Sequence, residues 1–254
     1  MTRSQTKETL YDIDLKAEGF HWWFVVRGRI LKFLLDSMEF PMNGWALDIG
    51  CSIGSTLGIL STTGIHPVGL DLSTYAISLA KRRVNLPFIN GDLKQLPVRS
   101  NSLNLIVAMD VLEHLENDFD GIHELYRVLK NGGTLILTVP AFKSLWGLQD
   151  VLTGHYRRYS LNELSTKLRQ AGFDILRSSY FNFLLFFPIL LGRRLIRLLG
   201  LKLKSENEVN FPLLNFFLKT IFSIETRILK YFSFPFGVSI LCVTTKMRAD
   251  RNGR

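Results

Sequence analysis

Four carboxylates stand at the ends of successive β-like runs, and a glycine turn follows the first. Ala46-Leu47-Asp48-Ile49-Gly50-Cys51-Ser52-Ile53-Gly54 reads as a strand entering a turn and then a helix. Glycine lets a ligand approach the backbone, and the free N–H groups of a helix start favour anionic atoms. The spacing is G-x-x-x-G rather than the G-x-G-x-x-G of dinucleotide binders. Asp48, inside the strand, suits a ligand that carries positive charge. Asp71 ends the next run, where a carboxylate in an open α/β sheet can accept both ribose hydroxyls. Asp92, in Asn90-Gly91-Asp92-Leu93, ends the third and suits an adenine amino group. Asp110, in Met109-Asp110-Val111-Leu112-Glu113-His114, ends the fourth. With no phosphate-binding lysine beside them, these acids outline a polar rim shaped for a ribonucleoside. The alternative is that each merely caps its loop, which serves for one acid better than for four in register.

The elements that must position these residues alternate in type, as in a parallel sheet with crossover helices. Strands are expected at Trp45–Ile49, Pro67–Leu70, Pro87–Asn90, Leu103–Met109 and Thr134–Val139. Their near-continuous apolar character suits strands covered on both faces. Helices are expected at Ser55–Thr62, Thr74–Arg83 and Asp118–Lys130, the last closed by Asn131-Gly132-Gly133. Ser160-Leu161-Asn162-Glu163 has the form of a capping box that opens a further helix. Two more β runs follow, Phe173–Tyr180 and Val238–Thr245.

The chain has 254 residues, 47% of them apolar and 21% charged, with a net charge of +9. Disorder, a collagen-like fibre and a disulfide-stapled miniprotein are thereby excluded. Cys51 and Cys242 form no metal or disulfide pattern, as expected in a reducing cytosol. The first residues lack an apolar core of the secretory type. The charge points to an anionic partner, either nucleic acid or a membrane surface. Residues 175–236 hold nine Lys/Arg against three Asp/Glu, and 11 of the 19 phenylalanines fall between Phe181 and Phe236. Phe183–Gly192, then Arg193, Arg194 and Arg197, then Leu198–Lys204, has the look of an interfacial helix. Its uncharged stretch, Ser178–Gly192, is short of the roughly 20 residues that span a bilayer. The stretch beginning at Phe211 looks similar but less basic. A helical cap packed on the sheet, or a dimer interface, is the other reading; membrane contact is preferred.

The strand-end residues resemble the class I S-adenosylmethionine-dependent methyltransferases, over roughly residues 43–180 and again in the last strand. Closer similarity is to the type 11/12 subset, which includes quinone-biosynthesis enzymes with a V-L-E-H segment. The resemblance implies an α/β, doubly wound, Rossmann-like sheet of seven strands with the last antiparallel. To this the sequence adds an N-terminal helical cap at residues 1–42 and a helical apolar insertion at 182–236. The cofactor domain then comprises 43–181 and 237–247. The resemblance assigns Asp48, Gly50, Cys51, Ser52 and Gly54 to the methionine part of S-adenosylmethionine, with Ser52 replacing the usual middle glycine. It assigns Asp71 and Leu72 to the ribose and its surroundings, Asp92 and Leu93 to the adenine edge, and Met109 and Asp110 to the motif after the fourth strand. No N/D-P-P-Y motif and no Pro-Cys nucleophile is present, which weakens nucleic acid as substrate.

Three constellations remain. His114 is the candidate catalytic base, since imidazole titrates near neutrality. Asp110, Glu113 and His114 also match an acidic-x-x-Glu-His metal pattern of some quinone O-methyltransferases; the reading adopted is that Glu113 and His114 orient the loop and that no metal is bound. His155-Tyr156-Arg157-Arg158-Tyr159 offers two guanidiniums and aromatic rings for substrate, or else forms a solvated basic turn. His21-Trp22-Trp23-Phe24, with Arg27 and Arg29, forms either a lid over the cofactor or a helix whose aromatics pack on the sheet.

The expected function is methyl transfer from S-adenosylmethionine, to oxygen, on an apolar or lipid-linked acceptor such as a prenyl quinone precursor or polyprenyl-linked saccharide. The expected location is the cytoplasm, peripherally on the cytoplasmic membrane face. The alternatives are a non-catalytic methyltransferase-like module at the membrane and an RNA methyltransferase.

Overall fold

The computed structural model describes residues 3–41, 43–199 and 212–247. Seven strands form one sheet: β1 (Trp45–Ile49), β2 (His66–Asp71), β3 (Phe88–Asn90), β4 (Leu103–Met109), β5 (Leu129–Pro140), β6 (Phe173–Phe181) and β7 (Ser239–Lys246). Their order is β3-β2-β1-β4-β5-β7-β6. β1 to β5 pair in parallel, while β7 runs antiparallel to both β5 and β6. The seven-stranded sheet with its reversed last strand is therefore as expected. Strand order turns back at β1 and β4, so the crevice beyond their C-terminal ends is the natural ligand position.

Nine helices occur among the described residues: α1 (Arg3–Ala17), α2 (Trp22–Asp36), α3 (Ser55–Leu60), α4 (Thr74–Lys81), α5 (Asp118–Val128), α6 (Leu148–Thr153), α7 (Leu161–Gln170), α8 (Phe186–Leu198) and α9 (Pro212–Leu229). Short polar side chains start several of them. The Ser73 hydroxyl accepts from Ala76 N–H, Asn117 Oδ1 from Phe119 N–H and the Ser160 hydroxyl from Glu163 N–H, which satisfies donors that the first turn leaves open. Several boundaries differ from the expected ones by a residue or two, and most where α5 meets β5. α5 ends at Val128 because fully buried Leu129 pairs with Leu103 in the β4–β5 ladder. The Asn131-Gly132-Gly133 segment thus lies within β5 and does not close the helix.

The sheet separates two apolar cores. One packs Ile122 and Leu125 of α5 and Leu164 and Leu168 of α7 against Ile106, Leu135 and Leu137. The other packs Val26, Ile30 and Leu34 of α2, Leu57 of α3 and Phe222 of α9 against Leu105, Val107 and Ile136. The residues between β6 and β7 thus supply one helix, α9, that seals the sheet beside α2. Trp23 stacks on Phe181 and Phe222, and Asn215 accepts from Trp22 N–H and donates to the Phe20 carbonyl. The packing alternative for the His21–Phe24 run accounts for its tryptophans. The cationic run through Lys202 and Lys204, and Phe211, lie outside the described residues.

Candidate active site

The C-terminal ends of β1, β2 and β4 carry Asp48, Asp71 and Asp110 along one edge of the sheet. The turn after β1 needs left-handed backbone at Gly50 (φ 67°), Ser52 (φ 47°) and Gly54 (φ 86°). Glycine is required at the first of these on a second count, because a Cβ there would come within 2.8 Å of Val111 Cγ2. Ser52 N–H donates to Asp71 Oδ2 and Ser73 N–H to Asp71 Oδ1, each at 2.8 Å. One carboxylate therefore ties the turn after β1 to the start of α4. Leu72 beside it is exposed.

Asp48 is buried, and its Oδ2 has no hydrogen-bond partner among the described residues. Burial raises its carboxyl well above the usual range; the Arg27 guanidinium opposes the shift and Asp71 adds to it. An orphaned polar atom at the base of a glycine turn is what a polar, cationic ligand would satisfy. This donor set could hold S-adenosylmethionine as the resemblance implies, with the 50–54 turn and Asp48 at its amino acid part, Asp71 and Leu72 at the ribose, and Asp92 with Leu93 at the base. Asp92 Oδ1 accepts from Lys94 N–H at 2.9 Å, and Leu93 is buried. Cys51 is also buried, and burial pushes its thiol upward.

Met109 is buried, and Asp110 follows it in left-handed conformation (φ 59°). Asp110 Oδ1 accepts from the Thr138 hydroxyl at 3.0 Å, and its Oδ2 pairs with Arg27 Nη1 at 2.9 Å. Arg27, which also donates to the Met109 carbonyl, is the lid-helix arginine that meets the crevice. Arg29 instead donates to the Ser223 hydroxyl on α9. α1 adds a second cover: Tyr75 donates to Asp12, and Arg83 pairs with Glu18. Tyr11 is pushed up to about 12, chiefly by burial and then by Asp71. Tyr11 carries no signal in the sequence, since its proximity to Asp71 arises only when α1 folds over α4.

Beyond Asp110, the 3-10 turn Leu112–His114 places Glu113 at full burial and His114 in the open. Both Glu113 carboxyl oxygens lack a hydrogen-bond partner among the described residues. Burial, then Asp110, raises this carboxyl well above its ordinary range. The rings of His114 and His155 meet edge to face with centroids 4.6 Å apart.

The segment His155–Tyr159 is divided in the roles its side chains play. His155 Nδ1 lies 2.8 Å from Asp150 Oδ1, and Tyr156 is exposed. Arg157 donates to the Leu115 and Glu116 carbonyls. Arg158 is buried and forks onto both oxygens of Asp150, at 2.8 and 2.9 Å, and it also reaches the Ala141 carbonyl. Tyr159 is buried and donates to Asp118. Burial alone would raise Asp150, but the His155 hydrogen bond and the Arg158 charge hold it well below the carboxylate range. Asp150 is the residue that sequence reasoning passed over; its signal was a lone acid five residues before His155 and eight before Arg158.

Residues 47–137 match the family described as a methyltransferase domain. A probable S-adenosylmethionine-dependent methyltransferase of Mycolicibacterium smegmatis is 26% identical over 132 residues, covering 51% of this chain and 51% of that protein. A phthiotriol/phenolphthiotriol dimycocerosates methyltransferase of Mycobacterium ulcerans is 33% identical over 98 residues, covering 36% of each. The chain thus spans about a third to a half of the length of these curated relatives. In fold it is similar to a solved complex of the Haloferax volcanii Trm112 methyltransferase activator with a methyltransferase, at 20% identity and a TM-score of 0.61, covering 92% of this chain and 94% of that one. Strand order, glycine turn and family match agree on one point: residues 47–137 form a methyltransferase domain.

Proposed function

We propose that the chain transfers a methyl group from S-adenosylmethionine to an oxygen of an apolar or lipid-linked acceptor, working at the surface of an anionic membrane. The observation that carries the choice of acceptor is the exposed apolar side of α8 and α9. Phe187, Leu191 and Leu195 of α8 and Leu213, Phe216 and Phe217 of α9 are all exposed. Arg194, also exposed, lies among them. Greasy side chains mixed with cations suit the headgroup boundary of an anionic bilayer. Among the described residues no helix is long and apolar enough to cross a membrane. The mycobacterial relative, whose name specifies a dimycocerosate lipid, supports the same class of acceptor.

When bound, the cofactor supplies the electrophilic methyl group. The protein's task is then to hold the cofactor and the acceptor in line, keep water out and accept the acceptor's proton. The 50–54 turn and Asp71 hold, α1 and α2 cover, and the His114–His155 pair offers nitrogen for the proton. The test is to incubate the protein with methyl-labelled S-adenosylmethionine and a lipid extract. Label partitioning into the organic phase supports the reading. Cofactor binding without any labelled lipid would instead favour a non-catalytic module, and label on added RNA would favour the third alternative.

A further inference from the structure

We propose that Arg193 is a positioning residue for methyl transfer: from α8 it fixes the loop between β5 and α7, and thereby sets His155 beside His114. Its Nη1 donates to the Leu145 carbonyl and lies 4.0 Å from Asp150 Oδ2. Asp150 is fully buried and gathers that loop around itself. It accepts from Gly147 N–H at 2.7 Å, faces His155 Nδ1 at 2.8 Å and takes the Arg158 fork. Beyond it, Tyr156 N–H donates to the Glu113 carbonyl at 2.8 Å, which lays the loop across the turn after β4.

A second contact from α8 meets the same loop. Phe186, about two turns before Arg193, lies edge to face against Phe142 with ring centroids 5.8 Å apart. Phe142 opens the loop in left-handed backbone (φ 51°, ψ 121°). That conformation is costly for a bulky residue and persists only where the surroundings enforce it. Its N–H donates to the Tyr159 carbonyl at 2.8 Å, and its ring stacks on Tyr180 with centroids 4.9 Å apart. Phe142 and Leu145, at the two ends of the 3-10 turn Lys143–Leu145, are therefore both held from α8.

The helix that does the holding is lightly seated. Its root is fixed, since Leu184 N–H donates to Glu225 Oε2 at 3.1 Å and Leu185 is buried. Past that root, none of the described α8 side chains is buried. A helix with so little buried surface leaves its seat at small cost. Phe187, Leu191, Leu195 and Leu198 are exposed on the side away from Phe186 and Arg193. A surface that holds the outer side therefore steadies the loop through the inner one. This control of the loop by an anionic bilayer rests on the membrane reading; the hold of Arg193 on the loop does not.

The test compares the full chain with Arg193→Gln, Arg193→Lys and Arg227→Gln, the last at an exposed arginine of α9. Without vesicles, amide hydrogen exchange of the loop should quicken about tenfold in Arg193→Gln and recover in part in Arg193→Lys. Arg227→Gln should stay at the parent rate. Vesicles of phosphatidylglycerol should slow the loop in the parent and leave it fast in Arg193→Gln. With methyl-labelled S-adenosylmethionine and a lipid extract, Arg193→Gln should lose more than ~tenfold in kcat at unchanged KM for the cofactor. A guanidinium that merely anchored α8 would quicken α8 and leave the loop and kcat at parent values, which would overturn the proposal. A parent that floats with the vesicles while its loop exchanges no more slowly would overturn the bilayer's control. A parent that does not float would overturn the membrane reading, and one that labels no lipid the methyltransferase reading; in both cases vesicle-free exchange still decides whether Arg193 holds the loop.

Discussion

Arg27 of α2 reaches the turn after β4 and pairs with Asp110 at 2.9 Å, 83 residues away in sequence. The pair joins α2 to the edge of the sheet where the cofactor is expected. Removing the guanidinium leaves Asp110 and the nearby Asp48 and Glu113 without a common countercharge. Arg27→Ala is expected to weaken S-adenosylmethionine binding by about tenfold, equivalent to ~1.4 kcal/mol, with Arg27→Lys in between. Calorimetric titration of the three proteins measures this. Equal affinities would show that the lid arginine has no part in holding the cofactor.

Asp71 is the acceptor for two backbone donors, at Ser52 and Ser73. Losing it unpairs both of these part-buried donors at once, at a cost of roughly 1 kcal/mol each. Asp71→Ala should therefore lower cofactor affinity more than tenfold and lower the melting temperature as well. Asp71→Asn, which keeps one oxygen, should recover part of the stability and less of the affinity. Cofactor binding unchanged in Asp71→Ala would contradict the ribose placement.

The strand-end acids were legible in the sequence because each sits immediately after an apolar run, and a parallel sheet aligns such ends without further information. Trp22 and Trp23 were visible as a cluster, yet whether they covered the cofactor or packed on Phe181 and Phe222 depended on where α9 lands. Arg158 and Tyr159 read as substrate contacts or as part of a solvated turn because their partners, Asp150 and Asp118, belong to other elements. Long-range pairs of this kind carry no periodic signal. The same holds for Glu113 and His155, whose meeting requires both loops in place.

His21 should make stability depend on pH. It caps α2, is buried, and burial lowers it from 6.5 to about 4. The unfolded chain therefore takes up a proton at a higher pH than the folded one. This group's contribution is complete above about pH 6.5 and is lost as pH falls toward 4, at no more than ~1.4 kcal/mol per pH unit. Urea midpoints of the parent and His21→Asn, which retains a capping side chain, should converge as the pH is lowered across that window. Parallel curves would refute the assignment.

Gly121 on α5 has no room for a side chain: a Cβ would lie 2.4 Å from Leu115 Cδ1 and 3.2 Å from Leu93 Cδ2. Gly121→Ala should destabilise the fold by roughly 1–3 kcal/mol through overpacking. Because Leu93 adjoins the expected adenine edge, cofactor affinity should fall with it. Urea denaturation with and without cofactor separates the two effects.

Phe187 and Leu191 project from α8 at 64% and 60% exposure. Replacing both with Glu should abolish flotation with vesicles of anionic phospholipid while leaving the melting temperature within a few degrees, as surface changes generally do. Flotation retained by that double variant would place the membrane contact elsewhere.

The antiparallel pairing of β6 and β7 has a consequence for how this protein could diversify. Phe181 and Ser239 face each other as the last pair of that ladder, so everything between them leaves and re-enters the sheet at one point. Lengthening or exchanging the excursion changes the entropy of closing it only logarithmically. The crevice of Asp48 and Asp71 is built without it, apart from the cover that α9 gives α2. Under the proposed function, acceptor choice and methyl chemistry would sit on separable stretches of chain, and new substrates would be reached by grafting a different excursion onto the same two strand ends.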